Sequence, residues 1–101
     1  MASFPGGDSA YKRFITTNLQ SIADSAAAMG VRKNTYKVDL TFIIDEKGNA
    51  KAYKAESSPK EAFLETACTK MIERSPQWTV AMQNDRLVKE IRRQMLTIVV
   101  E

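Results

Sequence analysis

The sequence contains no histidine. That removes the side chain most often used as a general base near neutral pH, and a common nitrogen ligand for metals. It has a single cysteine, Cys68, so an internal disulfide is excluded, and one thiol cannot build a zinc site. Cys68 lies among apolar helix positions and reads as a buried structural thiol, not a reactive one. No apolar run approaches the roughly 18 residues of a membrane-crossing helix. No signal peptide is visible, because the opening MASFPGG has neither a charged nor an apolar region. The opening reads as a start joined to an excised domain. Residues 1–8 are expected to be a tail and 9–101 the domain, with any export signal or membrane anchor in a segment outside this sequence.

Other function classes are excluded by pattern. PGGD lacks the spacing and terminal lysine of a phosphate-binding loop. The fifteen Lys and Arg against twelve Asp and Glu give a formal +3, but the cations are spread along the chain and their densest pair is Arg92-Arg93. Phosphate binding needs cations clustered on one face, so no nucleic-acid partner is expected. Tyr11, Phe14, Tyr53 and Trp78 could suggest a base-stacking platform, but Tyr11 and Phe14 lie on the apolar side of a helix, where core packing is the usual role. Each carboxylate has a plain setting: a helix first turn, a hairpin loop or a polar strand face. No catalytic residue, cofactor or metal is expected, and the chain does not read as an enzyme.

What is present describes one small domain. The chain has 101 residues, 44% apolar and 27% charged, enough for a modest core. Tyr11, Ile15, Leu19, Ile22, Ala26 and Met29 recur at helical spacing, which predicts a helix over Ser9 to Met29. Asp8 or Ser9 would cap it and Gly30 would end it. In YKVDLTFIIDEKGN, Tyr36, Val38, Leu40, Phe42 and Ile44 alternate with Lys37, Asp39, Thr41 and Ile43. Period two with one apolar face predicts a half-buried antiparallel strand. Gly48 supplies positive φ in the hairpin loop. The returning strand, about 49–56, carries small apolar residues and is expected at an edge.

SSPKE predicts the second helix, with Ser58 as N-cap, Pro59 as first helical residue and Glu61 completing a capping box. Phe63, Leu64, Ala67, Cys68, Met71 and Ile72 form its apolar stripe. Pro76 ends it near Arg74. Leu96 to Val100 is a strand by composition. Val88 to Met95 alternates poorly, and one long strand with a bulge is the favoured reading. The fold class is therefore α+β, ordered α-β-β-α-β: two layers, with both helices on one face of a three-stranded antiparallel sheet.

One stretch does not suit a connection. SPQWTVAMQND puts the only Trp, Trp78, between the second helix and the last strand. It reads either as a plug for the core, packed against that helix, or as an anchor for a partner.

Taken together, several segments resemble the TonB C-terminal domain family, in the form that opens with FPGG. FPGGDSAYKRFITTNL is similar to its opening turn and helix. VDLTFIIDEKGNAKAYKAESS is similar to its hairpin. FLETACTKMIERSPQWTVAMQND is similar to its second helix, Pro-x-Trp and polar turn, and LTIVV to its closing strand. Ser21-Ile22-Ala23 stands where the family commonly has Tyr-Pro. The resemblance implies a non-catalytic periplasmic adaptor, tethered to the inner membrane by a segment outside this sequence. It also implies that Trp78 is a plug closing one end of the core.

The implied partner is an outer-membrane TonB-dependent transporter, gripped by its TonB-box peptide and pulled with force derived from the proton gradient. The implied mode is addition of the peptide as a strand beside the last strand. The implied docking residues are Ile91, Arg92, Arg93, Gln94, Met95, Leu96 and Thr97. Lys89, Arg92 and Arg93 fit either a docking strand or a charge-protected edge. A homodimer through the same strand is a further expectation. The rival reading is a periplasmic sensor or interaction module of a larger membrane protein, without force transmission.

Overall fold

A computed structural model describes residues 2–101. The elements are α1 (Gly7–Ala28), β1 (Asn34–Ile44), β2 (Ala50–Ser58), α2 (Ala62–Glu73), β3 (Ala81–Gln83), β4 (Arg86–Val88) and β5 (Glu90–Val100). The main sheet has the order β2-β1-β5 and is antiparallel throughout. Tyr36, Val38, Leu40, Phe42 and Ile44 of β1 are all buried, while Lys37 between them is exposed. Period-two alternation thus sends one face to the core and leaves the other to water. Both helices lie on the core side: α2 against β2 and β1, and α1 against β5 and α2. Leu64, Cys68, Met71 and Ile72 of α2 are buried, as the helical spacing predicts.

Local departures have local causes. α1 begins two residues earlier than predicted, on a left-handed Gly6, and no side chain caps it. The Gly7 N–H donates to the Phe4 carbonyl at 2.9 Å, so a backbone turn does the work assigned to Asp8 or Ser9. Gly30 does end the helix, with its N–H on the Ala27 carbonyl and φ of 84°. β2 runs on to Ser58, which pairs with Lys37. The N-cap of α2 is Glu61 and not Ser58, and Pro59 precedes the helix instead of opening it.

The expected capping box does not form, and Ser57 in β2 is bonded to the start of α2 instead. Ser57 Oγ accepts from the Glu61 N–H at 2.7 Å and donates to Glu65 Oε2 at 2.6 Å. Glu61 stands at the N-cap, its carboxylate accepting from the Phe63 N–H.

The expected bulge is not in the last strand. β5 pairs with β1 over all eleven residues without a shift. The irregularity lies between β1 and β2 at Thr41/Phe42, where Tyr53 is the extra residue and points to solvent. Residues 90–95 of the poorly alternating stretch do belong to one long strand, β5, and a small hairpin, β3 with β4, precedes it. Asn84 and Asp85 make the hairpin's two-residue turn with φ of 53° and 62°, the conformation that matches the right-handed twist of the strands.

Trp78 is 3% exposed and is a plug. Its aromatic partners are Phe4, Tyr11 and Phe42, with ring centres 5.3, 5.4 and 5.9 Å away, so it closes the core between the start of α1 and the sheet. These rings come from the amino-terminal segment, α1 and β1, and Trp78 shares one core cluster with Leu64, Cys68, Met71 and Ile72 of α2. Its indole N–H donates to Ser75 Oγ at 3.1 Å, which satisfies the one polar atom that burial would otherwise strand. Residues read as a tail take part: Ala2 and Phe4 are buried, and Ser3 exchanges backbone hydrogen bonds of 3.0 and 2.8 Å with Thr79.

Candidate functional site

Among the described residues, no three His, Cys, Asp or Glu side chains stand together as a metal site. Cys68 is fully buried, and burial pushes its thiol up to about 12, so it stays protonated at neutral pH. The feature that stands out is backbone, not side chain. An open three-stranded sheet has two edges, each with a row of N–H and C=O groups that its own sheet does not pair.

The two edges are treated differently. α2 lies against β2 and lends it carboxylates. Glu73 Oε2 accepts from the Ala52 N–H at 3.3 Å, and Glu65 Oε2 accepts from the Ser57 N–H at 2.9 Å. The Ser57 hydroxyl and then the Ser57 N–H, both donating to it, hold the Glu65 carboxyl below the usual glutamate range. β5 has β1 on one side and, among the described residues, no strand on the other.

All seven predicted docking residues lie on β5, and its pleat sorts them. Leu96, with Ile98 and Val100, points to the core and is buried, so it can offer a partner only its backbone. Arg92 and Gln94 point the same way but are only half-buried, at the margin beside α1. They line a side groove with Asp8, Tyr11, Lys12 and Ile15. Ile91, Arg93, Met95 and Thr97 face outward, followed by Val99.

The two arginines have distinct settings. Arg92 carries its guanidinium 5.2 Å from the Trp78 ring centre and 5.8 Å from that of Tyr11. It also donates to the Ala2 carbonyl at 3.1 Å, and Glu90 lies 3.9 Å away. Arg92 therefore ties the amino-terminal segment and the aromatic cluster to the start of the edge strand. The Tyr11 hydroxyl donates to Gln94 Oε1 at 3.0 Å, and its burial raises its pKa against the opposing effect of Arg92. Arg93 lies across the open face and grips Asp39 of β1 with two hydrogen bonds, which keep that carboxyl low.

Charge is also concentrated here. Arg86, Lys89, Arg92 and Arg93 against Glu90 give residues 86–100 a net +3, the same as the whole chain. The rest of the molecule balances to zero.

Sequence reasoning located the strand but missed what distinguishes its edge. Glu65 and Glu73 read as ordinary helix-surface carboxylates until α2 is docked on β2. The β3–β4 hairpin did carry a local signal, the Asn84-Asp85 pair flanked by alternating residues. Set against models of known protein families, curated proteins and solved structures, the chain matches none of them.

Proposed function

We propose that this chain is a periplasmic adaptor domain of a TonB-like energy transducer. It docks the TonB-box peptide of outer-membrane transporters as an added strand on β5 and passes on proton-gradient-derived force. One observation supports this most: β5 presents an eleven-residue edge with, among the described residues, no neighbouring strand, whereas two amides of β2, those of Ala52 and Ser57, are engaged by α2. Main-chain pairing attaches an extended peptide whatever its side chains, which suits an adaptor serving several receptors. The net +3 of residues 86–100 favours a peptide carrying acidic residues. Catalysis, cofactor and metal play no part in this reading, and the membrane enters only through a segment outside this sequence.

A sensor or interaction module without force transmission is the second reading. It is favoured by α1, which runs unbroken through Ser21-Ile22-Ala23 to Ala28 where the resembled family has Tyr-Pro.

The test is titration with amino-terminal plug peptides of outer-membrane transporters, combined with a proline scan from Ile91 to Thr97. Proline deletes a ladder donor. At alternate positions, those whose N–H points away from β1, it should abolish peptide binding and leave α2 and the β1–β2 hairpin folded. Unchanged affinity across the scan would refute the edge-strand mode. No binding at about 1 mM, where contacts of about 4 kcal/mol register, would put the sensor reading first.

A further inference from the structure

α1 and α2 lie side by side on the sheet, and an open groove of about 400 Å³ runs between them. Its floor is apolar: Met71 is buried, and Ile22 and Phe63 are half-buried against the core. Its rims are polar. α1 contributes Ser21 and Ser25, and α2 contributes Lys70 and Arg74, all four exposed. Each pair is spaced i, i+4, so its two side chains stand one turn apart on one face, with about 5–6 Å between Cβ atoms.

The charge on this groove is of one sign. Among the described residues, no acid lines it. The nearest acids in sequence are engaged elsewhere. Asp24 accepts from the Gln20 side chain at 3.1 Å, Glu65 is held by Ser57 and Lys60, and Glu73 accepts from the Ala52 N–H. The four ion pairs among the described residues include neither Lys70 nor Arg74. Like charges at i, i+4 on a helix repel, and an anion held between them relieves that repulsion.

Cations near the end of a helix complement its dipole, which accounts for Lys70 and Arg74 being there. It does not account for an apolar floor left open beside them. A concave apolar floor with a few convergent polar groups is the form of a small-molecule site, and such sites usually hold about 300–1,000 Å³.

We propose that the α1–α2 groove binds a small organic anion with an apolar body, a medium-chain or aryl carboxylate. The body lies on Ile22, Phe63 and Met71. The carboxylate takes charge-assisted hydrogen bonds from Lys70 and Arg74, and the Ser21 and Ser25 hydroxyls are further donors. A cationic ligand would meet two like charges, and a neutral one would leave both without a partner.

The groove depends on an unbroken α1, since Ser21 and Ile22 stand where the resembled family has Tyr-Pro. No residue of β5 lines it, so this site and the peptide-docking edge stand or fall separately.

Octanoate is the probe, titrated into the full chain and followed by amide chemical shifts. Saturable shifts at Ser21, Ser25, Lys70 and Arg74 are expected, with a dissociation constant of about 1 mM or tighter. 1-Octanol has the same body without the charge and should bind about tenfold more weakly, or worse, for want of the charge-assisted bonds. Octylamine, cationic at neutral pH, should not bind.

The double variant Lys70→Gln with Arg74→Gln should bring octanoate down to the affinity of octanol. Its melting temperature should stay near that of the wild type, because both side chains are exposed. Ser21→Trp, also at an exposed position, should fill the groove and abolish binding of both probes. Shifts still unsaturated at about 10 mM octanoate, octanol bound as tightly as octanoate, or octanoate affinity unchanged in the double variant overturns the proposal. Shifts confined to β5 overturn it as well.

Discussion

The carbonyl oxygen of Gly48 accepts a hydrogen bond from the backbone N–H of Trp78 at 2.8 Å. This bond fastens the β1–β2 loop to the connection that follows α2, thirty residues away in the chain. Gln77 adds to it by donating its side-chain amide to the Lys47 carbonyl. Gly48 has φ of +85°, and a Cβ there would run into the Trp78 carbonyl oxygen. Gly48 is required twice over, once for its dihedral and once for the close approach.

Gly48→Ala should therefore destabilise the domain by about 2–4 kcal/mol, combining left-handed strain with displacement of the Trp78 backbone. Urea denaturation measures this. A glycine needed only for the turn would cost nearer 1 kcal/mol.

Trp78→Ala should cost about 3–5 kcal/mol, as buried aromatic truncations do. The ring supports Phe4, Tyr11 and Phe42 and carries the Arg92 guanidinium, so its loss should also free the amino-terminal segment. Hydrogen exchange at Ser3 and Thr79, whose amides bond each other's carbonyls, should rise sharply in the variant. An anchor for a partner would leave both the melting temperature and the exchange unchanged.

The tie between Ser57 and the start of α2 is testable by its position and by its pH dependence. Ser57→Ala should cost about 1 kcal/mol and Ser58→Ala close to nothing, because only Ser57 bonds Glu61 and Glu65. Glu65 has its pKa lowered in the folded state. Its contribution is therefore fully present above the unfolded value of about 4.3. It fades as pH falls from there through the lower folded value. Wild type should lose this contribution on acidification, and Glu65→Gln should lack that component of the acid limb. Melting curves of both from about pH 3 to 7 make the comparison.

How much of this was legible in advance depends on the range of the interaction. β1 was readable because its alternation is strict: a strand with Val38, Leu40 and Phe42 on one face has one orientation that buries them. α2 was readable from its stripe, and Gly48 from the turn chemistry around it. The Ser57/Ser58 error is a register error. Two adjacent serines look equivalent in one dimension, and both pair with β1, but only Ser57 turns its hydroxyl onto Glu61 and Glu65.

The sequence by itself determined the element types and the face each one buries, because side-chain period and local φ preference act over a few residues. It also determined that Trp78 would be out of place in water. Which residues enclose Trp78, where the β1–β2 bulge falls and which edge of the sheet is left open were decided only by the tertiary structure. Those outcomes turn on contacts between distant segments: Phe4 on Trp78, Glu65 and Glu73 on β2, and Arg92 on Ala2. A carboxylate eight residues from Ser57 carries no local mark of the amide it will accept from. That pairing exists only once α2 has packed against β2, and it ties up amides of β2 that β5 has no carboxylate of α2 to match.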